Sequence, residues 1–77
     1  MERIKEALKS VFEDFDEKVF NEDMQLGSIP DWDSMNSISL QMELELIFDV
    51  DLSETVLKDE HRVSDLLAIL RAAGVSI

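Results

Sequence analysis

Asp33-Ser34-Met35-Asn36-Ser37-Ile38-Ser39-Leu40-Gln41-Met42-Glu43-Leu44-Glu45-Leu46-Ile47-Phe48 is the stretch that decides how this chain folds. It opens on an Asp-Ser pair, a common helix-start signature, and its apolar residues recur at three- and four-residue steps. The pattern predicts a helix from Ser34 to Phe48. At about 100° per residue its apolar side chains fall into two stripes rather than one. Leu40, Leu44, Ile47 and Phe48 form the first, and Met35, Ile38, Met42 and Leu46 the second. Asn36, Ser39 and Glu43 separate them on one side, Gln41 and Glu45 on the other. One stripe is enough for the core of a small bundle. The other is available for a partner, a ligand or a covering loop.

Working outward, residues 2 to 16 read as an amphipathic helix, with Ile4, Ala7, Leu8, Val11, Phe12 and Phe15 on one face. A long connection through Asn21, Gly27, Ser28 and Pro30 leads to Asp33. Loops of that length are usually functional or disordered. Met24, Leu26, Ile29 and Trp32 supply apolar anchors that should pin it across the bundle. Beyond Phe48, Ser53 is placed to cap a short third helix through Lys58. A last helix is expected from about Ser64-Asp65, with Gly74 as its stop. The predicted fold is all-α: a small four-helix bundle of three longer helices and a short third one, forming a single domain over residues 1–77.

Seventy-seven residues with 45% apolar content fit a small packed core, burying about 60–65% of the unfolded surface. The net charge of −11 opposes binding to nucleic acid or anionic membrane and favours basic protein partners. With no cysteine in the chain, disulfides and thiolate metal sites are excluded. No apolar run reaches the roughly 20 residues of a membrane span, so a cytoplasmic monomer is expected. Between Lys18 and Lys58 there is no basic residue, whereas nine acids fall there, including Asp31, Asp33, Glu43 and Glu45.

Ser34 supports two readings. The bland one is that it caps the helix, which is the better bet on local residues alone. The functional one is a modification site. A helix N-terminus offers free N–H groups and roughly half a positive charge, worth about 0.3–1 kcal/mol to an anion. Nucleophilic catalysis is disfavoured, because the only histidine, His61, lies in the link before the last helix and reads as a solvated loop residue. Asp31-Trp32-Asp33 begins like a calcium loop. The pattern then fails, with Met35 at a ligand position, Asn36 in place of the glycine and Met42 in place of the closing glutamate. Methionines at helical spacing are most often core. These two share a stripe beside Ser34, which also suits contact with several partners.

Asp33-Ser34-Met35 at a helix start resembles the attachment motif of acyl carrier proteins. The likeness extends over most of the chain, through the amphipathic first helix, the long loop, the acidic second helix ending in Ile47-Phe48, the Asp49-to-Leu52 turn and the closing apolar helix. The resemblance implies a carrier without catalytic residues or metal. Ser34 would receive 4'-phosphopantetheine from coenzyme A through a phosphopantetheinyl transferase, and acyl groups would ride on the arm as thioesters. Asp33, Met35, Ile38, Met42 and Glu43 match positions that meet partner enzymes, the acyl-loading and acyl-processing enzymes with basic docking patches. Leu40, Leu44, Ile47 and Phe48 would line the core or an acyl pocket. Trp32 stands where a small residue is usual, Met35 where leucine is, and Asn36 and Ser39 at positions often acidic in fatty-acid carriers. These departures fit a specialised pathway (polyketide, modified lipid, amino-acyl or polysaccharide tailoring) at least as well as fatty-acid synthesis. Asp-Ser-Met is also similar to the motif of D-alanyl carriers.

Overall fold

The computed structural model describes residues 2–76. Among them are three α-helices: α1 (Glu2–Val11), α2 (Ser34–Phe48) and α3 (Val63–Ala72). Short 3-10 turns lie at Glu17–Val19 and Leu26–Ser28, and among the described residues no strand forms beyond an isolated bridge between Gln25 and Arg62. The all-helical class stands, but the four-helix count does not.

Ile4, Ala7 and Leu8 bury one face of α1. The helix stops at Val11, shorter than its apolar periodicity predicts. Glu13, Asp14 and Asp16 would place carboxylates against the negative end of the helix dipole. Asp16 instead caps the next turn, its carboxylate accepting the Lys18 N–H at 2.9 Å. An ion pair of 3.0 Å from Lys9 to Glu17 ties that turn back to α1.

α2 has the bounds its sequence predicts. It ends as Asp49 takes up a left-handed conformation (φ 53°), while the Val50 N–H reaches back to the Glu45 carbonyl at 3.2 Å. Phe12, just beyond α1, stacks on Trp32, just before α2, with ring centroids 5.7 Å apart. At the opposite end the Arg3 guanidinium lies 5.8 Å from the Phe48 ring centroid. The two contacts make α1 and α2 antiparallel. α3 closes the core with Val63, Leu66, Leu67 and Leu70. Its N-terminus is held by the Asp65 carboxylate, which accepts the Arg62 N–H at 2.8 Å. Gly74, at φ 100°, ends it as anticipated, with the Val75 N–H bonded to the Leu70 carbonyl at 2.9 Å.

The short helix expected over Ser53–Lys58 is absent, and the segment runs as an irregular strap. Two residues on the same side of α2 explain this. The Gln41 amide donates to the Leu52 carbonyl, and the Glu45 carboxylate accepts the Leu52 N–H at 2.9 Å. Both backbone groups of Leu52 are thereby tethered to α2, and its carbonyl also accepts the Thr55 N–H at 2.9 Å, so the segment makes a single turn that is not continued. Six residues are too few to nucleate one unaided. The extended path also buries Leu52 and Leu57 while Val56 points to solvent.

The long connection is pinned, as its anchors predict: Met24, Leu26 and Ile29 are buried and Trp32 is half-buried. It is also laced to the strap and to α3. Leu26 N–H donates to the His61 carbonyl (2.8 Å), Gly27 N–H to Asp59 (2.9 Å), Val63 N–H to Met24 (3.0 Å) and Ser64 N–H to Glu22 (2.9 Å). A Cβ on Gly27 would sit 2.7 Å from that of Asp59. This close approach is the reason a side chain is excluded there.

Candidate functional site

Asp33, not Ser34, caps α2. Its backbone is extended (φ −152°, ψ 179°) and its carboxylate accepts the Asn36 N–H at 2.7 Å. That corrects the bland reading of Ser34. The serine occupies the first helical position and is exposed, and its hydroxyl has no hydrogen-bond partner among the described residues. Asn36 braces the turn that presents it, donating its side-chain amide to the Asp31 carbonyl at 2.8 Å. Asp31 itself is left-handed at φ 70°. Asp, like Asn, tolerates that conformation better than most residues do. The same aspartates that open the calcium-loop pattern are thus occupied with shaping a helix start. Among the described residues no group of three or more His, Cys, Asp or Glu side chains gathers around a point.

The two stripes of α2 separate as the wheel predicts. Leu40 and Leu44 are buried, and Ile47 and Phe48 are half-buried against the same core. Met35 is 77% exposed, Ile38 56%, Met42 58% and Leu46 79%. With Val56, these make an apolar surface on a chain of net charge −11. Glu43 is half-buried on the neighbouring strip.

Ser34 lies at the rim of an open groove of about 630 Å³ between the start of α2 and the strap. Ser37, Ile38 and Gln41 line one wall, and Val56, Leu57 and Lys58 the other. The groove is chiefly apolar, and its charged lining is Lys58 together with the carboxylates Asp33 and Asp59. Sequence reasoning missed Lys58 and Val56. They are over twenty positions from Ser34, and the helix expected there gave no reason to bring them across. His61 is half-buried rather than solvated, and its Nδ1 accepts the Lys58 N–H at 3.0 Å. That lone pair is committed to holding the strap. Near the other end of the strap, Asp51 is held below the ordinary carboxylate range by the Ser53 hydroxyl and then by the Ser53 N–H.

The arrangement offers an exposed, unengaged hydroxyl at the positive end of a helix, beside an apolar groove and an apolar helix face. Among the described residues no helix is long and apolar enough to cross a membrane. No family model, no curated protein and no solved structure matches the chain.

Proposed function

We propose that this chain is an acyl carrier protein, a protein substrate for several enzymes rather than a catalyst. The observation that carries the reading is the state of Ser34: exposed, at the first position of α2, with Asp33 relieving it of the capping role. A phosphodiester on Ser34 would sit at the helix N-terminus, where free N–H groups and the dipole favour an anion. Lys58 lines the same groove and offsets part of the negative charge of Asp33 and Asp59 there. The 4'-phosphopantetheine arm, delivered from coenzyme A by a phosphopantetheinyl transferase, would supply the thiol that holds acyl groups as thioesters.

Asp33, Met35, Ile38, Met42 and Glu43 would meet the transferase and the acyl-loading and acyl-processing enzymes. Charge orients a basic patch on those partners, and the apolar stripe supplies brief contact. The groove bordered by Ile38, Val56 and Leu57 offers the arm or its cargo an apolar bed. The less acidic helix face fits a dedicated carrier of a specialised pathway at least as well as fatty-acid synthesis.

The test is the intact mass after incubation with coenzyme A, magnesium and a broad-specificity phosphopantetheinyl transferase, with Ser34→Ala alongside. One added phosphopantetheine on wild type and none on the variant is the expected outcome. A folded protein that several transferases leave unmodified would sink the carrier and leave an acidic, unmodified interaction module.

A further inference from the structure

We propose that the exposed face of α2 is a redox-sensitive modification site, in which hydroperoxides oxidise Met35 and Met42 to sulfoxides and so weaken docking to Ser34. The inference rests on the carrier reading for its docking half and on geometry alone for its site selectivity.

The placement of the described methionines carries it. Met35 directly follows Ser34, and Met42 lies two turns further along the same face, about 10 Å up the helix axis. Together they bracket Ile38, and all three are more than half exposed. Met24, by contrast, is 8% exposed beneath the long connection. Peroxide reaches a thioether according to its accessibility, so the fold sorts the three described methionines into two reactive and one protected.

The chemistry needs one co-reactant. The thioether sulfur attacks hydrogen peroxide, the O–O bond breaks, an S–O bond forms, and water leaves. Each sulfur is oxidised by two electrons as the peroxide is reduced. Methionine sulfoxide reductase reverses the step with a dithiol, which becomes a disulfide as water leaves. A sulfoxide replaces a flexible apolar contact with a strong polar acceptor. A partner covering it would have to desolvate that acceptor without an arranged donor. Because neither side chain is part of the core, the damage falls on docking and spares the fold.

The experiment treats the apo protein with dilute hydrogen peroxide, maps oxidised peptides over time and measures the rate of phosphopantetheine loading before and after. We expect Met35 and Met42 to gain oxygen at least about tenfold faster than Met24, with an unchanged helical circular-dichroism spectrum. Loading of the oxidised protein should slow by about tenfold and recover after reductase treatment. The Met35→Leu/Met42→Leu variant, whatever its starting rate, should load equally before and after peroxide. Equal oxidation of Met24, or unchanged loading of fully oxidised wild type, overturns the inference. If unoxidised wild type accepts no phosphopantetheine, the carrier reading and the docking half fall together, and the peptide map still decides the selectivity.

Discussion

At the scale of single residues, the division of labour between Asp33 and Ser34 is the central feature. Both are helix-start residues, and an Asp or a Ser can fill the cap equally well, so the capping expected of Ser34 falls to its neighbour without any breach of the local rule. What decides is backbone geometry: Asp33 has the extended conformation a cap needs, in a turn that the Asn36 amide closes onto the Asp31 carbonyl. Removing the Asp33 carboxylate should therefore cost about 1 kcal/mol, a fall in melting temperature of roughly 4–8 °C for a domain of this size. Ser34→Ala should change the melting curve far less. A larger loss for Ser34→Ala would mean the cap is wrongly assigned. Asp51 gives a pH-dependent counterpart. Its carboxyl is held below the ordinary 3.8, chiefly by the Ser53 hydroxyl. A depressed carboxyl stabilises the fold above its unfolded value, and that contribution disappears as pH falls through the lower folded value. Thermal melts from neutral pH to well below 3.8 should show wild type losing its advantage over Ser53→Ala. A constant difference across that range would disprove the link.

At the scale of elements, α2 was legible in full because its two periodic stripes and its start signal agree. Its faces yield a paired prediction. Leu44→Ala should cost about 2–5 kcal/mol, a large part of the roughly 5–10 kcal/mol available to a small domain. Met42→Glu should leave the melting curve nearly unchanged while slowing phosphopantetheine loading. Reversal of the two stability effects would mean the wrong face had been taken as core. α1 is five residues shorter than its periodicity predicts, since the apolar stripe continues through Phe12 and Phe15 while acids lie at 13, 14 and 16 beyond its last turn. The missing third helix was hidden more deeply. Gln41 and Glu45 look like ordinary solvated strip residues, and nothing local says they will reach Leu52, eleven and seven positions away. The groove beside Ser34 depends on that reach, so its serine wall was readable and its far wall was not.

At the scale of the whole molecule, charge is the dominant quantity. A net charge of −11 on a chain whose radius of gyration is 11.1 Å means strong self-repulsion in the folded state. Raising ionic strength from about 0.02 M to about 0.5 M shortens the screening distance from roughly 20 Å to under 5 Å. The melting temperature should rise by several degrees over that range, with any simple salt. A flat response would mean the carboxylates are spaced widely enough to ignore one another. The lacing of Glu22–Gly27 to Asp59–Ser64 has a consequence of its own. The two least regular parts of the chain share a seam, and one of them carries the wall opposite Ser34. An occupant that pushes the wall outward must strain that seam. The long connection would then act as a spring behind the groove, setting how wide it opens and returning it to shape once the occupant leaves.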